Sequence, residues 1–446
     1  MTINVANLEL ALSEKLNSLA SEADIAIYAK AINQLRTGVI SSVYNFSSLP
    51  IASTRVGELF FVIEDKIMYV ATSLYGWVSI YTTSIDSLWS FGRNYGGVLG
   101  DGTTSHRSSP VQVLTSRLNW CQISVGTSVA SGITRDAKAW TWGSNQCYVL
   151  GNEDCFLSSR NSPGTVVGGP ITWKQIALDG NKTAAGIGTD GTLWTWGESC
   201  FGSLAGRSGL SAYISPGTTT GGGTNWCKVV GGWSNFGAIK TDGTLWVWGR
   251  GGYGGLGTGS TFSVNSPVTT AGGGTNWCHV DMSCNTTTAI KTDGTLWTWG
   301  RNVAGQLGNL NSPDTCSPGT TAGGGTNWCA SSMGVMSAAG IKTDGTLWTW
   351  GHAKVLGDGI GTASRSSPGT TAGGGTNWCK ITVGTSHMSG IKTDGTLWTW
   401  GCNNYGQLGD GTTTSRSSPG TTLNNTNWSS ISSKINTNIG IRTTNL

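Results

Sequence analysis

TDGTLWTWG stands unchanged at Thr189–Gly197, Thr292–Gly300, Thr343–Gly351 and Thr393–Gly401, and with one change, TDGTLWVWG, at Thr241–Gly249. Two degenerate copies, SIDSLWSFG at Ser84–Gly92 and RDAKAWTWG at Arg135–Gly143, bring the copies to seven. Their first aromatics are Trp89, Trp140, Trp194, Trp246, Trp297, Trp348 and Trp398, at spacings of 51, 54, 52, 51, 51 and 50. A second series, Trp120, Trp173, Trp226, Trp277, Trp328, Trp378 and Trp428, runs in step. Self-similarity at such a period marks a repeat architecture, where each unit buries its apolar surface on its neighbours.

Working outward, each unit reads as four short strands. KITVG (Lys380–Gly384) and SGIKT (Ser389–Thr393) precede Asp394-Gly395, expected to supply the positive-φ pair of a tight hairpin. TLWTWG then alternates with period two. The Gly-punctuated loop NNYGQLGDGT follows, and Ser-Pro leads into PGTTAGGGTNW, the crossing to the next unit. Four strands per unit, repeated radially, predict an all-β, seven-bladed β-propeller over residues 84–446. The last residues, IGIRTTNL (Ile439–Leu446), match the strand before the hairpin, and the first copy begins with the strand after it. One blade is therefore expected from both ends of the chain, with Ile439–Thr443 beside Leu88–Gly92.

Composition agrees with turns between aromatic strands: 69 Gly and 22 Trp in 446 residues, with 11 % charged. No run of 18 apolar residues occurs, so no spanning helix is expected. MTINVANLELALSEKLN has neither a basic nor an apolar stretch of secretory type, and none is read from it. The net charge of +4 is spread thinly, whereas phosphate binders cluster Lys and Arg, so no nucleic-acid partner and no membrane insertion are expected. Eleven Cys leave at least one unpaired. Cys121, Cys227, Cys278, Cys329 and Cys379 share one repeat position and are expected to be small buried hydrophobes. Cys147 and Cys155 are the only close pair outside that column, and the spacing leaves their pairing open.

Ahead of the repeats, Leu8, Leu12, Leu16, Leu19, Ala23, Ile27, Ala31 and Leu35 form one stripe, predicting an amphipathic helix over 1–38. Residues 39–83 predict a small β module with strands at Gly57–Ile63, Lys66–Thr72 and Gly76–Tyr81.

Two resemblances follow from these motifs. LWxWGxNxxGQLGxG, clearest at Leu397–Gly411, resembles the regulator-of-chromosome-condensation repeat family, and that likeness implies a seven-bladed propeller. In eukaryotic members a His commonly precedes the second strand; here the column reads Val129, Thr183, Asn235, Thr286, Ser337 and His387. The departure weakens the implied guanine-nucleotide exchange and chromatin binding more than the implied fold. The run SSLPIASTRVGELFFVIEDKIMYVATSLYGWVSI resembles small modules of bacteriophage virion proteins, implying an anchor to other virion proteins through residues 1–83.

Candidate chemistry is sparse. The propeller holds only Glu153 and Glu198, and Asp190, Asp242, Asp293, Asp344 and Asp394 are turn residues. His106, His279, His352 and His387 fall in different units, and Cys278-His279 with Cys284 lacks a fourth ligand at recognised spacing. No catalytic residue, metal or cofactor is expected. Loop divergence is more informative. The residue after the first strand's Gly reads Thr127, Asn181, Trp233, Cys284, Val335 and Thr385. Trp233 with Phe236, and Tyr148 with Phe156 in the divergent 145–163 loop, are the candidate binding residues. The expectation from sequence is a non-enzymatic virion appendage or tail-fibre protein, a candidate homo-oligomer, whose propeller reads a host-surface protein or glycan. A capsid decoration protein and a cytoplasmic regulator of a small GTPase are the alternatives.

Overall fold

The computed structural model describes Ser41–Val43, Leu59–Val62, Ile67–Thr72, Gly76–Thr82 and residues 84–445, without 116–118, 155, 181, 208–211, 221, 311–312, 323 and 373. The chain divides into two compact units, Asp86–Arg442 and Met1–Ile85 with Thr443–Leu446. The smaller unit holds a four-stranded sheet. Leu59–Val62, Ile67–Thr72 and Gly76–Thr82 pair antiparallel in sequence order, and Ser41–Val43 adds a parallel edge strand that the sequence pattern had not shown. The helix expected over 1–38 lies outside the described residues, as does Cys155.

The larger unit is a propeller of seven four-stranded blades. Blade 4 illustrates the pattern from the channel outward: Trp277–Met282, Thr286–Lys291, Leu296–Gly300 and Thr315–Thr320. Blades 1, 2, 3, 5 and 6 begin at Trp120, Trp173, Trp226, Trp328 and Trp378. Blade 7 takes Trp428–Lys434 and Thr437–Asn445 from the end of the chain and Ser84–Gly92 and Arg107–Gln112 from its beginning, in that order. Arg93 N–H donates to Asn436 O at 2.9 Å beside this junction, and Ile439 and Ile441 are buried within it.

The nonapeptide explains itself residue by residue. In Thr393–Gly401, Asp394 Oδ1 accepts from Thr396 N (2.9 Å) and Thr396 Oγ1 (2.6 Å), and Trp398 Nε1 donates to the same hydroxyl (2.9 Å). The hairpin differs from the expected positive-φ pair. Gly395 N bonds Lys392 O and Lys392 N bonds Thr396 O, so the loop is longer and only Gly395 (φ +77°) goes left-handed. The Lys just before the nonapeptide is also fixed. Lys392 Nζ sits 4.9 Å and 4.4 Å from the rings of Trp378 and Trp398, a clamp repeated at Lys240, Lys291 and Lys342.

The second Trp joins blades. Trp350 Nε1 donates to Gln306 O of blade 4 at 2.8 Å, and Trp142, Trp196, Trp248, Trp299 and Trp400 make the same bond to the preceding blade. Gly308 (φ +66°) closes this joint: a Cβ there would stand 2.9 Å from the indole nitrogen of Trp350. That approach accounts for Gly after Leu in the QLG motif. In blade 7 the Trp is replaced by Phe91, which cannot donate, and Asn438 Nδ2 bonds the equivalent carbonyl, Gln407 O, at 2.8 Å. Asn438 Oδ1 in turn accepts from His387 Nε2, Ser389 Oγ and Ser433 Oγ. The one family-type His therefore ties the ring closure.

The Cys column does not behave as expected. Cys121, Cys278, Cys329 and Cys379 are exposed and Cys227 is half-buried. A bulge after each Trp turns the next side chain outward, and the thiols donate to the Ile carbonyls of the second strand, as Cys379 does to Ile391 O (3.3 Å).

Candidate interaction face

Beyond the bulge every second residue of each inner strand faces the central channel. The strands read Gln122, Ser124 in blade 1, Gln175, Ala177 in blade 2, and Lys228, Val230 in blade 3, with His279, Asp281 in blade 4. The channel encloses about 170 Å³. Its polar groups are consumed in blade-to-blade bonds. Gln122 and Gln175 each bond both the N–H and C=O of one residue in the next blade, Ile176 and Val229. Ser332 and Thr382 hydroxyls accept from Val383 N and Ser433 N. Asp281 Oδ2 accepts from Met333 N at 2.9 Å. Lys228 Nζ donates to His279 Nδ1 at 2.9 Å, and His279 Nε2–H donates to Ser331 O at 2.8 Å. Burial, then the adjacent Lys228 charge, hold the His279 imidazole down to about 3, so it stays neutral and can accept that bond. None of these groups converges on a space where a substrate atom could sit between a base and an electrophile.

Cys278, His279 and Cys284 diverge: the first is exposed, the second is bonded between Lys228 and Ser331 O of the adjoining blades, and the third lines the cleft at the channel mouth. Among the described residues no three His, Cys, Asp or Glu side chains gather to hold a metal.

The channel-facing register continues one step further, to Gly126, Asp179, Gly232, Ser283, Gly334, Gly384 and Lys434. Gly predominates because the neighbouring backbone is close: a Cβ on Gly126 would stand 2.5 Å from Gly180 O, and one on Gly334 2.4 Å from Gly384 O. Asp179 and Lys434 break the column. Asp179 Oδ1 accepts from Lys182 N and Thr183 N, while Oδ2 is buried without a partner among the described residues. Burial raises its carboxyl to about 6. Lys434 Nζ reaches across the mouth to Gly231 O of blade 3 at 3.0 Å, and burial pulls its ammonium below the ordinary lysine range. Neither was singled out from sequence; aligning the blades on their inner Trp and reading every second residue would have shown both.

The connections after the first and the third strand of every blade leave from this same end. Of the fifteen large apolar side chains exposed among the described residues, ten lie on these connections. Trp233 and Met336 stand on the first connections; Tyr95, Phe156, Phe201, Tyr253, Phe262, Val303, Leu310 and Ile360 stand on the third. Of the candidate residues, Trp233 is 37 % exposed, and the indole lies over Gly180, where a Cβ would be 3.4 Å away. It borders a narrow cleft with Cys284, Val335, Thr385 and Lys434, so four positions of the divergent column meet at the channel mouth; Thr127 does not line that cleft, and Asn181 lies outside the described residues. Phe156 is 94 % exposed. Tyr148 is half-buried with φ +60°. Phe236 is instead fully buried, its ring stacked on Trp248 at 5.6 Å, because its strand position points between blades. Phe236 belongs to the core and offers no surface.

Sequence profiles of the regulator of chromosome condensation (RCC1) repeat match residues 86–130, 242–290 and 394–433, and a second profile of the same repeat matches 378–407. These segments of the chain match RCC1 repeats. The chain is 29 % identical over 249 residues to the ultraviolet-B receptor UVR8 of Arabidopsis thaliana, covering 53 % of this chain and 54 % of that protein. It is 26 % identical over 226 residues to the E3 ubiquitin-protein ligase HERC2 of Homo sapiens, covering 50 % of this chain and 5 % of that protein. It thus spans about half or less of these relatives. Among solved structures, human WBSCR16 superposes with a TM-score of 0.71 at 17 % identity, covering 80 % of this chain and 98 % of that one. Prp20p from Saccharomyces cerevisiae, described with its binding to Gsp1p and histones, gives 0.69 at 15 %, covering 80 % and 91 %. These relatives are cellular proteins of eukaryotes. They overturn the expected virion appendage and its virion location, and nothing in them supports the virion partners; short Gly/Trp punctuation in residues 1–83 had carried that resemblance.

Proposed function

We propose that the propeller is a non-enzymatic regulatory module that docks a protein partner on the loop face around the channel mouth. The observation that carries this reading is that ten of the fifteen exposed large apolar side chains among the described residues stand on the connections of this one face, where a partner would cover them. Channel polar groups tied up in blade-to-blade bonds support a binding role over catalysis. Regulation of a small GTPase is the form that the repeat resemblance favours, and the relatives named for receptor and ligase proteins support protein binding more broadly.

A photo-crosslinking residue at Phe262 on the loop face, and another at Leu423 on the opposite face, test the reading in an extract of the source organism. A defined protein adduct from position 262 and not from 423 is expected. Adducts from 423 alone, or from neither, would overturn it. Release of fluorescent nucleotide from purified small GTPases separates the exchange-factor form: acceleration lost on substituting Trp233 and Phe201 supports it, and no acceleration on any of them removes it.

A further inference from the structure

Blades 3 and 4 carry a cluster of cations on the loop face. Arg250 and Arg301 occupy equivalent positions, directly after Gly249 and Gly300, and their backbones bond the first connection of the same blade, Arg250 N to Ser234 O (2.8 Å) and Arg301 N to Asn285 O (3.0 Å). Each guanidinium lies over an aromatic of the preceding blade, Arg250 5.5 Å from Phe201 and Arg301 4.9 Å from Tyr253. Among the described residues neither makes an ion pair, and Nε of Arg301 is buried without a hydrogen-bond partner. Arg250, Arg301 and Lys434 all lie near enough to Cys284 for their charges to act on its thiol. Cys284 and Trp233 border the same cleft.

The charge is unbalanced on the outer surface. Loop-face segments 199–207, 232–234, 250–263, 283–285 and 301–314 contain Arg207, Arg250 and Arg301 against one carboxylate, Asp314, whose Oδ1 accepts from Asn302 N at 2.7 Å. Arg207 is committed elsewhere, over the Tyr213 ring at 3.5 Å and bonded to Thr195 O. The carboxylates that act on Lys434, Asp281 and Asp179, accept from backbone N–H groups, of Met333 and of Lys182 and Thr183 respectively. Two planar guanidiniums, each half-buried against an aromatic ring and neither in an ion pair among the described residues, suit bidentate capture of carboxylates. The adjoining apolar side chains suit a partner with apolar residues between its acids, which a nucleic-acid backbone does not provide.

We propose that this sector of blades 3 and 4 binds an acidic peptide segment of a protein partner, with carboxylates on Arg250 and Arg301 and an apolar side chain against Trp233. The proposal rests on the loop face being the docking surface and names the chemistry of its occupant.

The test uses the full chain and a fluorescein-labelled octapeptide of Glu and Asp around a central Phe, read by anisotropy at low salt. Saturable binding that weakens as salt rises is expected. Arg250→Ala and Arg301→Ala should each weaken it about two- to fivefold, the range for a solvent-accessible ion pair. Lys at either position should restore only part, because it keeps the charge and loses the fork. Trp233→Ala should also weaken binding, and Lys174→Ala, an exposed cation on an inner strand of blade 2 away from the sector, should leave it unchanged. No saturable binding, equal loss on Lys174→Ala, tighter Arg-dependent binding of a single-stranded oligonucleotide, or self-association abolished by the same Arg substitutions would each overturn it. A crosslink at position 262 that persists when the peptide fails leaves the docking face standing and removes only its acidic occupant.

Discussion

Trp350→Phe asks whether the indole that joins blade 5 to blade 4 holds the ring together. Trp350 is fully buried, packs edge-on to Trp328 at 6.1 Å, and donates to Gln306 O at 2.8 Å. A phenyl ring keeps most of the packing but leaves that carbonyl buried and unpaired, at a cost of about 1–3 kcal/mol. The lost ring volume, roughly 40 Å³ at about 24 cal/mol per Å³, adds about 1 kcal/mol. A destabilisation of about 2–4 kcal/mol is therefore expected by urea unfolding followed by far-ultraviolet circular dichroism. Blade 7 supplies a natural control. Phe91 stands at the same position, and Asn438 Nδ2 already occupies Gln407 O, so Phe91→Trp finds its acceptor taken and should gain nothing. A Trp350→Phe protein within about 0.5 kcal/mol of wild type, the usual range of inconsequential surface substitutions, would refute the joint. So would stabilisation on Phe91→Trp.

Deleting residues 436–446 removes Ile439, Ile441 and the Asn438 network and exposes the edge of Ser84–Gly92; loss of cooperative unfolding with aggregation by light scattering is expected. Stability should also depend on pH through groups of opposite sign. Burial holds His387 near 4 and His279 near 3, below their unfolded values, so their contribution is complete above about pH 6.5 and is lost as pH falls from there. Asp179, raised to about 6, runs the other way: its contribution is complete below the unfolded value and lost as pH rises through 6. Asp179→Asn should therefore be more stable than wild type at pH 8 and indistinguishable at pH 4, measured by urea midpoints across that range. Phe236→Ala, which empties a fully buried site, should cost about 3–5 kcal/mol, whereas Phe262→Ser on the loop face should stay within about 0.5 kcal/mol in the same assay.

The sequence by itself determined the seven blades, the four strands of each, and the closure from both ends of the chain. It could do so because every nonapeptide repeats the same local chemistry: Asp and Thr close the turn, Gly takes the left-handed φ, and alternating Trp residues flank it. It did not determine which side of a strand faces what. A blade is covered on both faces, so period-two alternation leaves Phe236 as plausible on the surface as in the core, and Cys after Trp as plausible buried as exposed. The bulge at each inner Trp and the packing against the next blade decided both. The repeat put Trp233, Cys284, Val335 and Thr385 at one equivalent position, and the tertiary structure added Lys434, up to 201 residues away in the chain, to the cleft they line. Radial closure is the physical reason: it sets equivalent positions of successive units in a ring, where a departure from the repeat in one blade faces the departures of all the others.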